Sequence, residues 1–163
     1  MPDTVFGLPT HPLVVHVAVV LVPLAAAALI AVGWNEAWRK VYYFPIALLS
    51  MAGAVGAFLA KQSGEPLQHT LREAGKRAGD HPQQGDLAFV SAWLLAGACV
   101  ALYVYHDYGE RIRERLGITD RYRLPFNEHT ALYVAAVPVA LLAVALMVIA
   151  GHSGATLVWK TNK

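Results

Sequence analysis

The sequence predicts an all-α integral membrane protein, a four-helix bundle that crosses a bilayer four times and forms one domain over residues 1–163. Three observations lead there. Of the residues, 56% are apolar and only 15% are charged, too few to keep the surface of a bundle wet. Four stretches, 13–33, 41–60, 87–106 and 130–150, contain no Asp, Glu, Lys or Arg, and each reaches the roughly 20 residues that span hydrocarbon. Inside lipid only helices and closed barrels satisfy their backbone, and these runs are too long, too Ala-rich and too poor in alternation for barrel strands. The 13 basic and 11 acidic residues nearly cancel and fall between the apolar runs, which excludes nucleic acid and leaves the lipid bilayer as the first partner.

The elements follow in order. Thr10 is placed to cap the first helix, with Pro12 in its first turn. Residues 1–8 carry Asp3 and no Lys or Arg, the wrong charge for a cleaved secretory signal, so the first span is expected to stay as an anchor. Pro23 and Pro138 sit mid-span in the first and fourth helices, where each removes a backbone donor and bends its helix. On the second span Ser50 and Ala54 share one face, while Gly53 and Ala57 share its neighbour. Gly56 with Ala60, and Gly97 with Ala101 on the third span, add small pairs that let helices approach closely or leave room for a flat cofactor.

Between spans two and three a short interfacial helix is expected from Pro66, with Leu67, Leu71, Ala74 and Ala78 on one side and Arg72, Glu73 and Lys76 on the other, stopped by Gly79. Pro82 follows His81 at the start of the third helix. The connection 107–128 carries five arginines and reads as wet and charged, with Gly117 ending a short helical turn. Lone Cys99 lies inside an apolar run and reads as a small buried hydrophobe, with no disulfide or thiolate metal site.

An even number of spans puts both chain ends on one side of the membrane, here the terminal face, and the two hairpin turns on the other, the hairpin face. Lys61, Arg72, Lys76, Arg77, Lys160 and Lys163 belong to the terminal face, against Arg39, Lys40 and the five loop arginines on the hairpin face. The density of arginines favours a cytoplasmic hairpin face and termini outside.

The seven histidines are the informative feature. His11, His16, His69, His81 and His152 sort to the terminal face, His106 and His129 to the hairpin face. A neutral imidazole ligates iron, copper or zinc, and ionisable groups at membrane depth are functional candidates. His69 shares the polar side of its helix with Glu73 and Lys76 and reads as solvated. His11 and His16 lie five residues apart, about 140° around a helix, so one of them looks elsewhere. Depth favours His16, and antiparallel packing brings His16, His81 and His152 to a common level.

Two cofactor chemistries fit that set. Haem b takes an axial pair of imidazoles, with the macrocycle between helices where glycines and alanines leave space. Zinc or copper needs three or four converging ligands, with Asp86 or His11 completing the shell. A third reading needs no cofactor: interfacial histidines bonded to carbonyls and water. Gln62, Ser63, Glu65, Gln83, Gln84 and Ser153 surround these histidines, either as partners that fix ring tautomers or as an ordinary headgroup rim. His106 and His129 form a second possible haem pair on the hairpin face, among tyrosines and tryptophans that need no role beyond an aromatic belt.

The segments LPTHPLVVH (8–16) and GHSGATLVW (151–159) resemble the first and last signatures of the bacterial predicted-membrane-protein family known as domain of unknown function 2231. Trp159 stands where that family has Tyr, and Val17 with Ala18 replaces a more usual Phe-Pro. The resemblance covers most of the chain, with His81 matching a histidine before the third helix. It implies a small four-helix membrane fold in a bacterial inner membrane and leaves the activity open.

The function these residues suggest is a small membrane redox module binding haem b and exchanging electrons with quinone or a respiratory partner. The competing class is a structural or assembly subunit, or a homo-oligomer, whose Gly53, Gly56 and Gly97 face protein partners. No general acid, nucleophile or phosphate-binding loop accompanies the histidines to support turnover of a dissolved substrate.

Overall fold

The computed structural model describes residues 4–5, 8–73, 79–117 and 128–161. Two short strands, β1 (Thr4–Val5) and β2 (Leu8–Pro9), pair antiparallel ahead of four long helices: α1 (Thr10–Val32), α2 (Glu36–Glu73), α3 (His81–Leu116) and α4 (Glu128–Thr161). All four are long and apolar enough to cross a membrane. Val20, Leu24, Leu48, Leu94, Leu141 and Val148 point outward, so the outside of the bundle is apolar, as lipid requires.

The helices outrun the apolar stretches at both faces. α3 continues through the arginine-rich segment to Leu116, where Gly117 takes a left-handed conformation (φ 64°) and its N–H bonds back to the Glu114 carbonyl at 3.3 Å. α2 opens on Asn35, whose side-chain oxygen accepts from the N–H groups of Ala37 (2.9 Å) and Trp38 (3.3 Å). The separate interfacial helix expected from Pro66 is not formed among the described residues: α2 runs straight through Pro66 to Glu73. The donor that Pro66 removes lies beyond the apolar span, where water serves the exposed Gln62 turn and the break costs little. Residues 74–78, the rest of that expected helix, lie outside the described residues.

Each helix packs against its sequence neighbours, and α1 closes the ring against α4. Gly53 and Gly56 belong to this packing: a Cβ on Gly53 would lie 3.0 Å from Val22, and one on Gly56 2.9 Å from Val17. The expectation that these glycines face a partner protein is therefore corrected; they seat α2 on α1. Gly97 alone of the three opens outward, with nothing within 4 Å.

The bundle is two copies of one hairpin. The buried residues of α1 are Ala18, Val22, Ala25, Ala26, Leu29 and Val32, and one constant displacement along the chain carries each onto a buried residue of α3: Ala88, Ala92, Leu95, Ala96, Cys99 and Leu102. A second displacement carries Tyr43, Ile46, Ser50 and Ala57 of α2 onto Tyr133, Ala136, Ala140 and Met147 of α4. Both hairpins run the same way through the membrane, the arrangement of a parallel repeat about an axis along the membrane normal. Cys99 is thus a core position, equivalent to Leu29.

Candidate functional site

The repeat places a matched pair of histidines at the terminal face. His11 opens α1 and His81 opens α3, each followed by proline, and the displacement that relates the two cores also relates these residues. His11 Nδ1 lies 3.0 Å from Ser63 Oγ and 3.1 Å from the Ala60 carbonyl on α2. His81 Nδ1 lies 2.9 Å from Ser153 Oγ on α4, with the Ala150 carbonyl beside it. Ser63 and Ser153 are equivalent in the repeat, as are Ala60 and Ala150.

Donor logic fixes the tautomers. Each serine hydroxyl donates to the carbonyl three residues back, Ser63 to Ala60 and Ser153 to Ala150, both at 3.0 Å. The hydroxyl oxygen is then left to accept, so Nδ1 of each histidine carries the proton and Nε2 carries the lone pair. The ring edges rest on glycine: a Cβ on Gly64 would lie 3.1 Å from His11 Cε1, and one on Gly154 3.0 Å from His81 Cε1. The two rings are half-buried and within electrostatic reach of each other. On the next turn of α3, Gln84 Oε1 is buried with no partner among the described residues.

Of the sequence-selected set His16, His81 and His152, only His81 faces this centre. His16 is exposed and donates from Nδ1 to its own helix at the Pro12 carbonyl, 2.5 Å away. His152 is also exposed, and its neighbour Ser153 takes the inward position. Asp86, the expected completing ligand, is held by Lys61 at 2.7 Å. His69 is exposed and paired with Glu73 at 3.2 Å, the solvated role expected of it. Among the described residues no three His, Cys, Asp or Glu side chains gather as a metal shell.

At the hairpin face His106 and His129 meet edge to face, ring centres 6.2 Å apart. His129 is also occupied. Arg39 Nη1, which can only donate, lies 2.6 Å from its Nδ1, and the Tyr43 hydroxyl lies 2.9 Å from its Nε2. Nearby, Glu128 at the start of α4 receives Arg113 from α3 and the Tyr105 hydroxyl at 2.7 Å.

A family model described as a predicted membrane protein, DUF2231, matches residues 7–162. The chain belongs to the DUF2231 family. No curated protein and no solved structure matches it. In this DUF2231 protein the opening segment 8–16 supplies His11, and the closing segment 151–159 supplies Ser153 and Gly154. Family membership shows the membrane fold and does not name a ligand.

Sequence reasoning named Ser63 and Ser153 among possible ring partners but missed Gly64, Gly154 and the repeat. The signal was present as His-Pro at 11–12 and 81–82 and Ser-Gly at 63–64 and 153–154.

Proposed function

We propose that this protein is a small membrane redox module that binds haem b through His11 and His81 and exchanges electrons with a quinone or a respiratory partner. The observation that supports the reading is the matched tautomer: two imidazoles, one from each hairpin, each with Nδ1 held by a serine and a carbonyl and Nε2 left as a ligand. Histidines that ligate metals are characteristically held in this way, since the outer hydrogen bond orients the ring and raises its basicity. Haem asks the protein for only an axial pair, whereas a zinc or copper shell asks for at least one more side chain.

The optical spectrum of protein purified in mild detergent, oxidised and then reduced with dithionite, tests it. A sharp Soret band that shifts on reduction supports the haem reading, and none after expression with ample haem would sink it. Metal analysis of the same sample tests zinc and copper. A second reading, a docking subunit of a larger complex, draws on the outward notch of Gly97 and Ala101 on α3; it leads if spectrum and metals are both blank.

A further inference from the structure

The hairpin face holds a cavity of about 280 Å³ between the start of α2, the end of α3 and the start of α4, with Arg39, His106, Arg113 and His129 among its walls. Two of the polar atoms there, Arg39 Nε and His106 Nε2, are buried and have no hydrogen-bond partner among the described residues. Arg39 Nε can only donate, and leaving a buried charged donor unmet is costly.

Charge accounting points to what is missing. Arg113 is neutralised by Glu128, and both are about four-fifths buried, at 20% and 17% exposure. Arg39 has no such carboxylate among the described residues: its Nη1 donates to Nδ1 of the His129 imidazole at 2.6 Å, and that ring is neutral because Nδ1 accepts. Two other carboxylates line the cavity. Glu36 is exposed and paired with Lys40 at 3.2 Å, and Glu110 is exposed and has an interaction of its own. The inner wall therefore carries a guanidinium in electrostatic reach of Glu36 but paired with no carboxylate among the described residues, beneath a solvated, mixed-charge rim.

We propose that this cavity is an oxyanion site that binds a phosphate group, with Arg39 Nε and His106 Nε2 as the donors that meet its oxygens. A guanidinium edge matches two oxygens of a phosphate, and a cation at this depth requires a counter-charge. The site lies where the apolar spans end, the level at which a bilayer presents lipid phosphates. A headgroup phosphodiester and free phosphate share this chemistry. The site is independent of the histidine pair at the terminal face.

The test is thermal unfolding of the detergent-solubilised chain, followed by tryptophan fluorescence. One arm titrates inorganic phosphate against sodium chloride of equal ionic strength. The other adds phosphatidylglycerol against diacylglycerol with the same acyl chains. A ligand that binds only the folded state raises the midpoint, by about 5 °C near saturation. A rise with inorganic phosphate identifies a free oxyanion, and a rise with phosphatidylglycerol alone identifies a headgroup. Arg39→Gln and His106→Gln should abolish the rise, and Arg39→Lys, which keeps the charge without the Nε donor, should reduce it. As a check that needs no variant, the wild-type chain should broaden the phosphorus resonance of phosphate or retain phosphatidylglycerol in intact-mass spectra. No rise and no binding in either arm, or a full response in Arg39→Gln, overturns the proposal.

Discussion

His11 and His81 are one residue written twice: each begins the first helix of a hairpin, and each presents Nδ1 to a repeated serine, at 3.0 Å for Ser63 and 2.9 Å for Ser153. The repeat of the hairpin thus gives the terminal face two equivalent imidazoles, one from each half. Neither hairpin alone contains the pair, so bringing the two rings together depends on the two halves packing.

The first prediction follows from which histidines face inward. His11→Ala and His81→Ala should each lower haem per protein more than tenfold, measured from the reduced-minus-oxidised spectrum. His16→Ala, His152→Ala and His69→Ala should leave it unchanged, because all three rings are exposed. Equal loss from His16→Ala and His11→Ala would overturn the assignment.

Much of this was legible beforehand, and the part that was not has a physical reason. Uncharged runs of spanning length fixed four helices, and the Gly117 stop was visible in the chain. Rotation was not: α1 is apolar on every side, so nothing marks the face that meets α2, and the choice between His11 and His16 rested on depth alone. Depth misleads here because His16 satisfies its ring on its own helix at the Pro12 carbonyl and can face outward. The same ambiguity on α4 hid the exchange of Ser153 for His152. The repeat is faint in the sequence because it survives mainly as a pattern of burial: Leu29 answers to Cys99 and Ile46 to Ala136, pairs with little likeness in sequence.

Removing the ring partners should weaken the site without destroying it. In Ser63→Ala and Ser153→Ala the Nδ1 proton keeps a neighbouring carbonyl, Ala60 at 3.1 Å for His11 and Ala150 for His81. Loss of an outer hydrogen bond of this kind costs about 10–100-fold in metal affinity, and the surviving carbonyl puts the expectation near the low end. Haem titration of the apoprotein measures it, and an effect as large as that of His81→Ala would mean the serines do more than orient.

Two glycines should respond in opposite ways. A Cβ on Gly33 would lie 1.8 Å from the Tyr133 ring, whose hydroxyl is held by the Ile30 carbonyl at 2.8 Å. The ring cannot swing aside without losing that bond, so Gly33→Ala should destabilise by about 1–3 kcal/mol. Gly97 has nothing within 4 Å, and Gly97→Ala should be neutral or gain up to about 1 kcal/mol of helix propensity. Thermal unfolding of the two variants side by side is the measurement; a stable Gly33→Ala would mean that α1 and α4 are not this close.

The last prediction concerns the clasp between α3 and α4. Glu128 receives Arg113 and the Tyr105 hydroxyl, and the two charges are about four-fifths buried. Either single neutralisation, Glu128→Gln or Arg113→Gln, strands one charge in a half-desolvated place. Breaking a fully buried pair costs about 3–5 kcal/mol, and the remaining exposure and screening bring the expectation to about 1–3 kcal/mol. The double variant strands no charge and should recover most of that loss. The diagnostic quantity is the coupling in a double-mutant cycle, read from unfolding midpoints in one detergent. Additive losses would show that the two side chains act separately, and the clasp would then be a coincidence of placement at the ends of two helices already held by their apolar faces.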